Sequence, residues 1–216
     1  MRSARRGGAA SDDGPPSAER RQTLLLPLIF ESLDDAARPL SVLDVGGGVA
    51  ETVAFFSEYR CRLHFADLFD EPALRWIPEE NAVDHFAAVF DDLLDFPAET
   101  RFDVCLLWDF LNYLPVPALT GFSRALRPYL HRDSVGHGFG AFKATAPGLA
   151  WAAPDLGLSY GVLDRDALIV RPRRDAGGAA AHPHSRTVLA EAFTCFEIVR
   201  GTLLQEGAME LLLKAR

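Results

Sequence analysis

The chain has 216 residues, of which 49% are hydrophobic and 24% charged, and its formal net charge is −8. This length and hydrophobic content fit one α/β domain with a sizeable core. The acidic balance argues against nucleic acid and anionic membranes as partners, since both bind basic surfaces. Three widely spaced cysteines indicate reduced core thiols. Neither a signal peptide nor a membrane-spanning run is recognisable, so we expect a cytoplasmic protein.

The first elements of the chain differ sharply in composition. Residues 1–18 are rich in small and polar residues and predict a disordered tail, which leaves 19–216 as a single domain. Residues 19–37 carry leucines at helical spacing and predict an amphipathic helix. Pro39 ends that helix, and the apolar residues 40–45 predict a buried strand.

Three consecutive glycines, Gly46, Gly47 and Gly48, follow this strand and precede a predicted helix at 51–59. Glycine tolerates positive φ and lets a ligand approach the backbone closely. Open α/β sheets bind ligands at the carboxyl ends of their strands, and the start of a helix adds free N–H groups. The turn therefore indicates a ligand site, with a plain strand-to-helix turn as the alternative.

Strands and helices alternate through the middle of the chain. We expect strands at 61–66, 102–108 and 136–144, a short helix at 70–76 and a longer one at 116–130. The pattern at 81–95 is ambiguous, and a short third strand at 86–90 fits it. Alternation at this rhythm predicts a parallel sheet with right-handed crossovers.

The last third of the chain has a different pattern. Residues 146–161 predict a loop, 163–172 a strand or short hairpin, and 175–184 a mobile insertion of small residues. A short helix is expected at 187–193. Two apolar runs at 196–205 and 208–214 predict a closing antiparallel β-hairpin.

Acidic residues follow each of the first four predicted strands of the sheet. Asp44, Asp67 and Asp109 mark three strand ends, and Asp92, with Asp91 as a near rival, marks the strand at 86–90. In a doubly wound sheet these ends lie along one edge. A carboxylate there can accept hydrogen bonds from a ribose diol or an adenine amine, so the pattern indicates a nucleoside-containing ligand.

With these motifs the chain resembles a class I S-adenosylmethionine-dependent methyltransferase. The resemblance rests on VLDVGGGVAE, on FDDLLDFP, on FDVCLLWDFLNYLP and on the terminal EIVRGTLLQEGAMELLL. It implies an α/β fold, three-layer and doubly wound, with a mostly parallel seven-stranded sheet and a C-terminal antiparallel β-hairpin. It also implies S-adenosyl-L-methionine as cofactor, no metal and a small-molecule methyl acceptor. The cofactor-binding residues implied by the resemblance are Asp44, Gly46, Gly47, Gly48, Asp67, Asp92 and Asp109.

Some positions depart from that family. Ala50 stands where a third glycine is common, and Pro128, Tyr129 and Leu130 replace a Pro-Gly-Gly turn. No catalytic signature is recognisable, and Asp109 and His137 are the candidates for a general base. The alternatives are a catalytically inactive binding or regulatory protein of the same fold and a nicotinamide-dependent oxidoreductase.

The remaining histidines predict no metal site. His64 lies in a predicted strand and is expected to be packed in the core. His182 and His184 lie in the insertion and are expected to be solvated, without the carboxylate or thiolate partners of a metal centre.

Overall fold

The computed structural model describes residues 18–33, 38–141, 158–173, 181–204 and 208–216. The predicted tail up to residue 17, most of the predicted loop at 146–161 and most of the insertion at 175–184 lie outside the described residues. Among the helices of the described ranges, none is long and apolar enough to cross a membrane.

Nine strands and five α-helices are described along the chain. The strands are β1 (Glu19–Gln22), β2 (Leu40–Asp44), β3 (Cys61–Phe65), β4 (Phe102–Trp108), β5 (Leu130–Gly140), β6 (Leu158–Asp164), β7 (Ala167–Pro172), β8 (Phe196–Leu203) and β9 (Met209–Ala215). The α-helices are α1 (Leu26–Leu33), α2 (Ala50–Phe56), α3 (Ala82–Leu93), α4 (Val116–Leu126) and α5 (Arg186–Ala192). Short 3-10 helices span Leu68–Asp70, Pro72–Arg75, Phe110–Tyr113 and Arg127–Tyr129.

The main sheet has six strands over the described residues, in the order β3-β2-β4-β5-β9-β8. Strands β3, β2, β4 and β5 are parallel, and β9 runs antiparallel to both β5 and β8. The predicted α/β class and C-terminal hairpin are therefore confirmed. The chain passes from β2 to β3 on one side and then to β4 on the other, so the switch point lies between β2 and β4, where such sheets bind ligands.

The predicted strand at 86–90 is wrong, and the expected seventh strand is absent from the described sheet. These residues lie in α3, where Phe86 and Phe90 are four positions apart and fully buried on one helix face. Gly121 of α4 packs closely against this helix, since a Cβ there would lie 2.7 Å from the backbone nitrogen of Ala87. A short apolar run fits either element, and close packing against α4 favours the helix.

The predicted helix at 19–37 is also wrong in its first half. Residues Glu19–Gln22 form β1, which pairs antiparallel with β7, and the helix begins only at Leu26. Strand pairing supplies this backbone with hydrogen bonds that helical periodicity does not reveal. Residues 163–172, predicted as a strand or a short hairpin, lie in the β6–β7 hairpin, and this hairpin starts at Leu158, within the stretch predicted as a loop.

A second sheet of three strands, in the order β1-β7-β6, lies against α2. The backbone nitrogen of Val162 in β6 donates to Thr52 Oγ1 in α2 at 3.1 Å. Because α2 directly follows the three glycines, this contact places the second sheet beside the predicted ligand site.

Candidate functional site

The glycine turn connects the ends of three parallel strands. It directly follows β2, and a Cβ built at Gly46 would lie 3.5 Å from the Trp108 ring at the end of β4. A Cβ at Gly47 would lie 3.1 Å from Oδ2 of Asp67, just beyond β3. The structure therefore brings the glycines and the Asp67 carboxylate into contact, as the sequence predicted from the strand ends.

Asp44 is fully buried at the start of this turn. Its Oδ1 accepts hydrogen bonds from the backbone nitrogen of Gly46 at 2.8 Å and from Trp108 Nε1 at 2.6 Å. Its Oδ2 has no hydrogen-bond partner among the described residues. Burial raises the pKa of Asp44 to about 7, against the lowering effect of these two hydrogen bonds.

Trp108 reaches Asp44 because its backbone is left-handed, with φ at 49°. This conformation is uncommon for a bulky residue and is concentrated at functional sites. Tyr160 of β6 stacks on the indole with ring centroids 5.1 Å apart and planes within 4°. The sequence placed Trp108 at a strand end but gave no signal of its left-handed turn or of its partner from the second sheet.

Asp109 follows Trp108 and is also buried. The Tyr113 hydroxyl donates to its Oδ2 at 3.2 Å, whereas Oδ1 has no hydrogen-bond partner among the residues described. Burial raises the pKa of Asp109 to about 7, and the hydroxyls of Tyr160 and Tyr113 partly oppose this rise. A carboxyl group with this pKa can both hold and accept a proton near neutral pH.

Asp67 forms an ion pair with an arginine of the same chain, which the sequence did not predict. Nη2 of Arg173, the residue after β7, donates to Asp67 Oδ1 at 2.6 Å and to Asp70 Oδ2 at 3.1 Å. The guanidinium also lies 4.8 Å from the ring centroid of Phe69. Arg173 and Asp67 are 106 positions apart, so only the fold brings them together.

The other predicted site residues lie elsewhere. Asp92 is exposed in the last turn of α3, so the strand end on which its assignment depended does not exist. His137 is fully buried, with Nε2 2.8 Å from Oε1 of Glu210. The Glu210 carboxylate also accepts the backbone N–H groups of Leu24, Leu25 and Leu26 at the start of α1, which indicates a structural role for this pair.

Three other histidines, His64, His182 and His184, differ in burial. His64 packs edge to face against Phe96 and Phe102, as expected of a packed residue. The prediction that His184 is solvated is wrong, because its ring is buried with Nε2 2.8 Å from the carbonyl oxygen of Leu114. His182 is half-buried, so it too is not fully solvated.

A cavity of about 170 Å³ lies beside the acidic groups, between the segments that follow β3 and β4. Its walls include Phe69 and Glu71 from the first segment and Phe110 and Tyr113 from the second. Tyr113 also binds Asp109, so the cavity adjoins the buried carboxyl group. Apolar walls with a few polar groups are typical of sites for small organic ligands.

Comparison with known proteins identifies the fold. No protein-family model matches the chain, and no curated protein matches its sequence. An S-adenosylmethionine-dependent methyltransferase from Clostridium acetobutylicum superposes with a TM-score of 0.51 at 10% identity, over 88% of this chain and 89% of that one. A protein from Pyrococcus horikoshii superposes with a TM-score of 0.52 at 13% identity, over 89% and 88%.

A third structure shows how far the likeness extends in length. The pyocyanin biosynthetic protein PhzM is 18% identical, with a TM-score of 0.47, and the match covers 89% of this chain but 55% of PhzM. The chain therefore spans about half of that protein. Together, the two matches that cover most of both chains show that this chain shares the fold of the Clostridium acetobutylicum methyltransferase, as its motifs predicted.

Proposed function

We propose that this chain is an S-adenosylmethionine-dependent methyltransferase that acts on a small-molecule acceptor. One observation supports this proposal most strongly. Two buried carboxyl groups near the glycine turn, those of Asp44 and Asp109, each have one oxygen without a hydrogen-bond partner among the described residues. Buried acceptors are normally satisfied, so such oxygens mark a place for a donor or a cation from a ligand. The methyltransferase fold supports this assignment.

The described residues fit the parts of this cofactor. The three glycines leave backbone space beside Asp67, whose carboxylate suits the ribose diol. We assign the cofactor's amino-acid group to Asp44 and its sulfonium to the side of Asp109. The adenine ring is assigned to the cavity, where Glu71 replaces Asp92 as the carboxylate for the exocyclic amine.

The protein's own contribution to the reaction is orientation, exclusion of water and proton transfer. When bound, S-adenosylmethionine supplies an electrophilic methyl group. The stacked rings of Trp108 and Tyr160 shield the buried carboxyl groups from solvent. Asp109, with a pKa of about 7, accepts the proton that the acceptor's nucleophile loses, and the Tyr113 hydroxyl holds its carboxylate in place. His137 is bound to Glu210, so we do not assign it as the base.

Calorimetry on the full chain tests the cofactor. We expect S-adenosylmethionine and S-adenosylhomocysteine to bind, NAD not to bind, and Asp67→Ala to weaken binding about tenfold or more, since it removes a charged acceptor of two hydrogen bonds. Folded protein that binds neither sulfur nucleoside would contradict the proposal. Binding of NAD instead would establish the oxidoreductase alternative.

A second candidate function is a binding protein of the same fold without catalysis. It is favoured by the internal partners of the acidic residues, since Arg173 holds Asp67 and Trp108 holds Asp44. The two functions differ in turnover. An active enzyme releases S-adenosylhomocysteine when supplied with a fractionated metabolite extract, and Asp109→Asn reduces this rate, whereas the binding protein releases none at any protein concentration.

A further inference from the structure

The β6–β7 hairpin carries two arginines towards the two flanks of the glycine turn. Arg171 lies in β7 and Arg173 follows two positions later, so in extended chain their side chains point the same way. Arg171 pairs with Glu51 in the first turn of α2, with Nη1 3.2 Å from Oε2. Arg173 pairs with Asp67, beyond the end of β3. The hairpin thus binds both elements that border the turn.

The charge of Arg173 is unusually well enclosed for a surface segment. Its side chain is 11% exposed, whereas the Asp67 side chain is 52% exposed. Two carboxylates, Asp67 and Asp70, share its guanidinium above the ring of Phe69. A guanidinium this buried requires a carboxylate partner, because an unpaired charge there is costly. The positive charge of Arg173 also acts on the two buried carboxyl groups of the site. It partly offsets the rise that burial causes in the pKa of Asp44 and Asp109.

Arg173 and a ribose diol need the same acceptor. Arg173 donates to Oδ1 of Asp67, and a diol that donates two hydrogen bonds to this carboxylate requires both of its oxygens. Asp70 offers Arg173 a second carboxylate. Arg173 therefore keeps one ion-pair partner when it leaves Asp67.

We infer that Arg173 sets the affinity of the nucleoside site, because it weakens nucleoside binding by competing for Asp67. Asp70 is its counterpart and holds Arg173 away when the ribose binds. This inference depends on the proposed function, because it takes the ligand to be a nucleoside. The competition makes the affinity of the site depend on a hairpin that lies outside the six-stranded sheet.

Calorimetric titration of the full chain with S-adenosylhomocysteine tests this inference. This probe has an uncharged sulfur, so repulsion between Arg173 and a sulfonium does not enter the measurement. Arg173→Gln should bind about threefold to tenfold more tightly, as expected for release of one partly exposed ion pair. Asp70→Asn should bind about threefold to tenfold more weakly, because Arg173 then depends on Asp67 alone.

The opposite signs separate competition from a merely structural role, since general damage to the site would weaken binding in both variants. The double variant should match Arg173→Gln, because the effect of Asp70 acts through Arg173. The control is Arg124→Gln, which removes the same charge from an exposed ion pair with Asp84 on the α3–α4 surface. Its affinity should stay within about twofold of the original chain.

Unchanged or weaker binding by folded Arg173→Gln would overturn the inference while leaving the proposed function intact. If that variant does not fold, unchanged or tighter binding by Asp70→Asn overturns the inference in the same way. An original chain that binds neither S-adenosylhomocysteine nor S-adenosylmethionine instead refutes the proposed function, and this inference with it.

Discussion

The two ends of strand β4 each carry a buried aspartate, and their surroundings differ. Asp103, near the amino end, and Asp109, just past the carboxyl end, are exposed to 6% and 5%. Asp103 accepts hydrogen bonds from the Arg38 guanidinium, from the Ser41 backbone nitrogen at 2.8 Å and from His131 Nε2 at 3.0 Å. Asp109 accepts a hydrogen bond from the Tyr113 hydroxyl on Oδ2 and has no hydrogen-bond partner for Oδ1 among the described residues, and burial raises its pKa to about 7.

This comparison separates a structural carboxylate from one that we propose binds a ligand, at equal burial. Donors surround Asp103 and tie the start of β2 to the start of β5, so its charge stabilises the fold. Glu210 follows the same rule, because His137 and the backbone N–H groups of Leu24 and Leu25 lower its pKa despite burial. Asp109 and Asp44 each keep one oxygen without a hydrogen-bond partner among the described residues, at the edge where α/β sheets bind ligands. Unsatisfied buried charge costs stability, which a ligand can restore.

Truncation of the aspartate side chain should cost more stability at the amino end of β4 than at its carboxyl end. Asp103→Ala leaves the partly buried Ser41 N–H and His131 ring without their charged acceptor and removes the Arg38 ion pair, so we expect a loss of about 3–5 kcal/mol in the free energy of unfolding. Urea denaturation measures this loss. Asp133→Ala is the control, since its ion pair with Arg132 is exposed, and it should change stability by less than about 0.5 kcal/mol. An equal effect from both would contradict the structural role of Asp103.

At the carboxyl end of β4, removal of the aspartate charge should raise the free energy of unfolding instead of lowering it. The pKa of Asp109 is raised from 3.8 to about 7 on folding, so the folded chain binds the additional proton and stability falls as pH rises from about 4 to about 7. Asp109→Asn removes this cost and should be about 2–4 kcal/mol more stable than the original chain at pH 8, and equal to it near pH 4. Urea denaturation at both pH values checks the sign. A variant that is less stable at pH 8 would refute the assignment of Asp109 as an unsatisfied buried acid.

Substitution of Trp108 should show how much one hydrogen-bond donor to Asp44 contributes to stability at the carboxyl end of β4. Trp108→Phe removes the indole donor to Asp44 Oδ1, so the pKa of Asp44 rises further and the charged form becomes more costly. We expect a loss of about 1–2 kcal/mol at pH 8 beyond the loss measured at pH 5, where Asp44 is protonated in both proteins. The difference between the two pH values removes the packing loss from the comparison. Trp76→Phe, at an exposed tryptophan, should show no such difference.

Substitution of Arg38 should give the smallest change in the free energy of unfolding. Its side chain is 57% exposed, so solvent screens its ion pair with Asp103, and Arg38→Gln should cost about 0.5–1 kcal/mol. The cost should shrink in 1 M NaCl, where exposed charges are screened within about 3 Å. Urea denaturation at low and high salt measures it. A loss as large as that of Asp103→Ala would mean that the guanidinium, and not the backbone and histidine donors, holds the amino end of β4.

Local patterns in the sequence were sufficient for the elements that the site is built on. The strands at 40–45, 61–66 and 102–108 are confirmed within one residue at each end, because continuous apolar runs between polar residues are typical of buried parallel strands. Asp44 ends β2, and the glycine turn, Asp67 and Asp109 follow their strands as predicted. Where the apolar run was short, as at Phe86 to Phe90, the same residues fitted a strand and a helix, and packing against Gly121 decided for the helix.

The sequence by itself determined the α/β class, the glycine turn and the acidic strand ends, because each depends on residues close together in the chain. Only the tertiary structure decided which buried carboxylate oxygens lack a hydrogen-bond partner among the described residues. That outcome depends on Trp108, which is turned by a left-handed backbone, and on Arg173, which meets Asp67 across 106 positions. Hydrogen bonds and charges act through space, so their partners follow from the packing of the second sheet on the first and not from spacing along the chain.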